Sequence, residues 1–188
     1  VQTCALPISE TAYLLGKCCG LRINECYGLK WENVDIENGR ITIDRQMQYQ
    51  DGLIKLVPLK TRNARRVIYM SQKLKDYFVR LAAETKAHEV DLKAQRAQNC
   101  TYIYDVDGNK ISSLELVNSL PNGKIQTVNS MKYHSRTIKI ALKIDFKYHY
   151  LRHTYGTRLA ELNTPTHILC NQMGHASGKV TERYYLAV

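Results

Sequence analysis

The hydrophobic period of this chain changes once and then changes back, and that switch limits the folds open to it. Between Val34 and Met70 apolar residues alternate. Val34-Asp35-Ile36 and Ile41-Thr42-Ile43 flank an Asn38-Gly39 step, and two further apolar runs follow at 53–59 and 66–70. Alternation interrupted by Asn-Gly is the pattern of antiparallel strands joined by a tight turn. On both sides the spacing returns to three and four. It does so at Ala12 to Cys19, at Leu74, Tyr77, Phe78 and Leu81, at Val128, Met131, Ile138, Ala141 and Leu142, and at Tyr148, Leu151, Tyr155 and Leu159. The expectation is an α+β fold, mainly helical, with one small antiparallel three-stranded sheet inserted early. The turn at 60–65 should form a basic hairpin tip on that sheet.

A chain of 188 residues, 44% hydrophobic and 23% charged, fits one globular domain with a substantial core. Its net charge of +10 points to a polyanionic partner. The basic residues are spread over 60–66, 136–147, Arg152 and 179–183, which favours a folded positive face over a basic tail. Six cysteines (Cys4, Cys18, Cys19, Cys26, Cys100 and Cys170) show no Cys-x-x-Cys pair, so free thiols in a reducing compartment are expected. No stretch is long and apolar enough to span a bilayer. The chain opens without Met and almost at once into a helical pattern, and the expectation is a piece of something longer.

Three places carry side chains that ask for a partner. His149, Arg152 and His153 crowd one side of a helix beginning near Phe146, and an imidazole beside a guanidinium suits a phosphate that must also exchange protons. A polar flank on a core helix is the plainer alternative. A zinc pair, His149 with His153, ranks last, because it lacks an intervening Glu and an obvious third ligand. Arg22 follows the Gly20 break and enters the first turn of a second helix, where a cation opposes the helix dipole unless an acid or anion sits near. Glu25 can supply that acid at i+3. The turn at 60–65, with Lys60, Arg62 and Arg65 and with Arg66 beside it, is either a solvated loop or a finger for a phosphate backbone.

Set in order, Arg22, Glu25, Lys60, His149, Arg152, His175 and the pair Tyr184/Tyr185 form a recognisable series. The chain resembles the catalytic domain of tyrosine recombinases, the phage-type integrase family, from about Ile8 to Val188. Gly20-Leu-Arg-Ile-Asn-Glu-Cys-Tyr-Gly-Leu-Lys-Trp31 is similar to the family's first box. Leu59-Lys-Thr-Arg-Asn-Ala-Arg-Arg-Val-Ile-Tyr-Met70 is similar to its lysine-bearing hairpin. His149-Tyr-Leu-Arg-His-Thr154 and Met173-Gly-His175 are similar to the second and third boxes.

The resemblance implies a site-specific DNA recombinase that cuts and rejoins double-stranded DNA through a covalent 3′-phosphotyrosyl intermediate, integrating or excising a phage or transposon. Arg22 and Arg152 would neutralise the phosphate, Lys60 would protonate the 5′-hydroxyl, His149 would assist proton transfer and His175 would hydrogen-bond the phosphate. Glu25 is the supporting acid. Arg62, Arg65, Arg66 and Lys179 are expected at the DNA. Tyr185 is the expected nucleophile, because Tyr185-Leu-Ala-Val188 keeps the frame that follows the tyrosine in many relatives; Tyr184 is the alternative. No metal or cofactor is implied. Residues 1–188 would form one catalytic domain, with the N-terminal DNA-binding domains outside it. The implied setting is the bacterial cytoplasm at the nucleoid, with a homo-tetramer on DNA, or a monomer for the isolated piece. A type IB topoisomerase-like nicking-closing enzyme shares the chemistry, and a catalytically inactive DNA-binding regulator is the reading from another class.

Overall fold

The computed structural model describes residues 6–50, 52–61, 64–95, 102–120 and 123–175. Its first helix, α1 (Leu6–Cys19), buries Ala12, Leu15 and Cys19 along one stripe. Gly20 follows with φ of 62°, and a side chain there would overlap the Tyr155 ring. That left-handed step lets the chain turn hard against a later helix, a conformation glycine adopts without penalty.

α2 (Ile23–Tyr27) is a short helix, with Arg22 extended at its N-cap. β1 (Val34–Asp35) and β2 (Arg40–Ile43) then form the expected hairpin, registered Val34 to Ile41. β3 (Arg45–Gln50) and β4 (Leu53–Pro58) form a second hairpin, registered Gln50 to Leu53. The connection at 59–65 leads into β5 (Arg66–Tyr69).

Here the expectation of one sheet fails in a specific way. β5 pairs with β2, giving the three-stranded antiparallel sheet β1-β2-β5. β4 instead joins β3 and a later pair, β6 (Tyr102–Asp105) and β7 (Lys110–Ser112), in a four-stranded sheet ordered β3-β4-β6-β7. The connection from β4 to β5 therefore joins two different sheets and is not the turn of a hairpin. β3 is hard to see in the sequence because Arg-Gln-Met-Gln-Tyr-Gln buries only Met47.

α3 (Gln72–Gln95) places Leu74, Tyr77 and Phe78 in the core, where Phe78 meets Trp31 edge to face at 6.2 Å. α4 (Val128–Leu142) begins at Thr127, whose hydroxyl accepts the Asn129 N–H, and it buries only Met131. α5 (Tyr148–Glu161) packs lengthwise on α1, with Tyr148 and Leu151 in the main core beside Gly16. Its next apolar turn, Tyr155 and Leu159, covers Leu169 and Met173 of α6 (Thr166–Met173). Burial of a side chain such as Leu15 or Leu169 contributes about 2 kcal/mol, so these two contacts fix α1, α5 and α6 against one another. Among the described residues no helix is long and apolar enough to cross a membrane.

Candidate functional site

The site is built where α6 ends. Gly174, at φ of 59°, closes that helix with a left-handed cap, its N–H donating to Asn171 and the His175 N–H donating back to Cys170 at 3.1 Å. The last carbonyls of a helix lack intrahelical partners and carry its partial negative charge. Three arginines from three other parts of the chain satisfy them in succession. Arg66 donates through Nε to the Gln172 carbonyl at 2.9 Å, Arg152 through Nη2 to Met173, and Arg22 through Nη2 to Gly174 at 3.3 Å.

Each guanidinium arrives for a local reason. Arg152 lies on α5 one residue after the buried Leu151, is itself only 2% exposed, and sends Nη1 to the carbonyl of Gly20. The sharp turn at Gly20 is what brings that carbonyl within its reach. Arg22, just beyond the same turn, has its side chain 40% exposed, so it presents charge to solvent while anchored at one end. Arg66 opens β5, where residues alternate inward and outward, and it shares the inward phase with Ile68.

Glu25 joins two of the three. Its carboxylate accepts Arg22 Nη1 at 2.7 Å and the Arg22 backbone N–H at 2.8 Å. It also accepts Arg66 Nη2 at 2.8 Å and Nη1 at 3.2 Å. Burial alone would raise the Glu25 pKa. The Arg66 hydrogen bonds and charge, with the charge of Arg22, outweigh burial and hold it at about 2. The carboxylate is thus ionised and shared between two cations.

The histidines face this positive field. His175, half-buried directly after the Gly174 cap, is pushed down to about 4 by burial and then by the charges of Arg152, Arg22 and Arg66. His149, exposed at the start of α5, is lowered by desolvation and then by His153, Arg152 and Arg22. Its ring stands edge to face with His153 at 4.4 Å. Among the described residues no group of three or more His, Cys, Asp or Glu side chains could hold a metal ion.

The structure thus brings Arg22, Glu25, His149, Arg152 and His175 to one place. Lys60 and Arg65 are exposed on the crossing between the two sheets. Arg66 corrects the sequence reading: expected at the DNA surface, it is fully buried against Glu25 and the end of α6. The inward phase of Arg66 with Ile68 was the signal that could have shown this. Arg62, Lys179, Tyr184 and Tyr185 lie outside the described residues.

A cluster of guanidiniums and imidazoles at a helix end suits an anion with several oxygens. Comparison with known proteins decides what kind of protein carries it. The Phage integrase family matches residues 9–188. This chain belongs to that family. As an integrase-family chain it is 25% identical, over 95% of its length, to the tyrosine recombinase XerC-like protein of Caldanaerobacter subterraneus subsp. tengcongensis. The match covers 45% of that relative, and the chain spans less than half the length of the curated relatives it matches.

The same fold occurs in the Tn1549 transposon integrase in complex with transposon right end DNA. The TM-score is 0.72 at 21% identity, covering 95% of this chain and 54% of that one. It also occurs in the XerH site-specific recombinase bound to difH substrate, with a TM-score of 0.58 at 20% identity, covering 98% of this chain and 44% of that one. The fold is that of tyrosine-recombinase catalytic domains, α+β, and the described residues form six α-helices and a three-stranded antiparallel sheet beside a second sheet.

Proposed function

We propose that residues 1–188 are the catalytic domain of a site-specific DNA recombinase, an integrase that moves a phage or transposon. The observation that carries this reading is the meeting of Arg22 and Arg152 on adjacent carbonyls at the end of α6, with His149 and His175 in their field. Two guanidiniums held this way neutralise charge on the non-bridging oxygens of a phosphodiester, and rigid positioning makes that stabilisation effective as charge develops.

The chemistry follows from the residue types. The hydroxyl of Tyr185, or of Tyr184, attacks the phosphorus, and its proton passes to His149. A bond forms between the tyrosine oxygen and phosphorus, and the bond from phosphorus to the DNA 5′-oxygen breaks. Lys60 gives a proton to that oxygen as it leaves. The 3′-phosphotyrosyl link keeps the bond energy, so attack by a 5′-hydroxyl reverses the step and rejoins a strand without a nucleotide cofactor. His175, neutral near pH 7, offers a hydrogen bond to the same phosphate. The substrate is double-stranded DNA, and a homo-tetramer assembled on it would exchange strands.

Net charge of +10 supplies non-specific attraction to the backbone. Exposed Lys60 and Arg65 precede β5, and Arg62 and Lys179 are assigned to the DNA with them. Arg66 is not. A nicked suicide DNA tests the reading against an inactive DNA-binding regulator: a recombinase traps a covalent adduct, and a regulator binds without one. A relaxation assay on supercoiled plasmid separates the topoisomerase-like alternative, which would relax any sequence.

A further inference from the structure

Arg66 is a heavily bonded side chain in the site that the chemistry above does not use. It is buried, it makes four hydrogen bonds from one guanidinium, and it spans three separate elements. Nε reaches the Gln172 carbonyl, two nitrogens hold Glu25, and Nη1 also donates to the Ala64 carbonyl at 3.1 Å. A side chain at Gly174 would press on the Arg66 guanidinium, whose Nη1 lies 3.0 Å from where its first carbon would stand, so the α6 cap is shaped around Arg66.

We infer that Arg66 is a positioning residue for the phosphate site, setting Arg22 through their shared Glu25 while tying β5 to the end of α6. Its links run in series. Arg66 fixes both oxygens of Glu25, and Glu25 fixes the backbone and guanidinium of Arg22. Through Gln172 the same residue fixes the carbonyl row on which Arg22 and Arg152 rest. Lysine cannot replace it, because a single ammonium lacks the planar fork that meets a carboxylate with two nitrogens while a third reaches elsewhere.

The inference rests on the recombinase reading for its chemistry but not for its geometry, and the test separates the two. Arg66→Lys is compared with the unchanged protein for DNA affinity across salt concentrations and for single-turnover cleavage of nicked DNA. Cleavage should slow by roughly 100-fold, the scale of an ångström's misplacement. The slope of log affinity against log salt should stay constant. In Glu25→Gln/Arg66→Gln, which removes the Arg66 charge, a fall of about 0.9 in that slope would instead make Arg66 a direct phosphate contact and overturn the inference. In an Arg22→Lys background Arg66→Lys should slow cleavage by less than about 3-fold; full additivity overturns action through Arg22.

Nitrogen-15 relaxation of the Arg22 Nε–H reads position without DNA or chemistry. Arg66→Lys should lower its order parameter, and an unchanged value overturns the inference even where the wild-type protein forms no adduct. If Arg66→Lys does not fold, the Glu25→Gln/Arg66→Gln pair, which keeps a neutral hydrogen-bonded contact, is measured in the same way.

Discussion

Arg22 and Arg152 rest on neighbouring carbonyls, those of Gly174 and Met173, although one precedes α2 and the other lies on α5. Two like charges drawn to one helix end need compensation. The helix terminus supplies part of it and Glu25 another part. What remains is a net positive cluster with His149 and His175 in its field, and the DNA phosphate of the proposed function would complete it.

Glu25 carries the stability consequence. Glu25→Gln leaves Arg66 buried without its counter-charge and should destabilise the fold by about 3 kcal/mol, read by denaturant unfolding. The linked pH effect has a definite sign. The carboxyl lies near 4.5 when unfolded and at about 2 when folded, so its contribution is complete above pH 4.5 and is lost as pH falls toward 2. Glu25→Gln should flatten the stability curve in that window.

His175 predicts a different window. With burial and then three arginines pushing it to about 4, the folded protein binds fewer protons than the unfolded chain between pH 6.5 and 4. Stability is therefore unaffected above 6.5 and declines as pH falls toward 4. An NMR titration should give a midpoint near 4 for the free protein. Occupying the pocket with a DNA phosphate should raise it, because the phosphate offsets the arginine charge. A midpoint at 6.5 in the free protein would place His175 outside the arginine field.

Gly20→Ala should cost on the order of 3 kcal/mol, from a left-handed backbone and overlap with the Tyr155 ring. Because the Gly20 carbonyl accepts from Arg152, the same change should also weaken any phosphate-dependent activity. Thermal unfolding and adduct formation check the two effects separately.

Much of this was legible because period and motif are local properties. Arg22, His149, Arg152 and His175 are each marked by residues within a few positions, and the helices that place them follow from spacing at three and four. The sheet was less legible. β3 has one buried apolar residue among six, so its alternation is nearly silent. The parallel pairing of β4 with β6 joins segments whose sequences carry no mutual signal. Arg66 is deceptive for a related reason: beside Arg65 it looks like part of a basic run, and only its phase with Ile68 distinguishes an inward arginine from an outward one.

Lys60→Ala should reduce cleavage by about 100-fold or more while changing DNA affinity little, as expected for loss of a general acid. A substrate with sulfur at the 5′-bridging position, whose leaving group needs no proton, should restore the rate. Failure of that substrate to restore it removes Lys60 from the acid role.

Covalent trapping on nicked DNA reads whether a tyrosine attacks a phosphate held by Arg22 and Arg152. The wild-type protein should form an adduct whose modified peptide contains residues 184–185, with the DNA 3′-phosphate on Tyr185. Arg152→Ala should reduce its formation by several hundredfold, and Tyr185→Phe should abolish it while Tyr184→Phe leaves it measurable. The opposite behaviour of the two tyrosine variants would move the nucleophile to Tyr184. Binding without any adduct, or an adduct indifferent to Arg152 and to both tyrosines, would contradict the account.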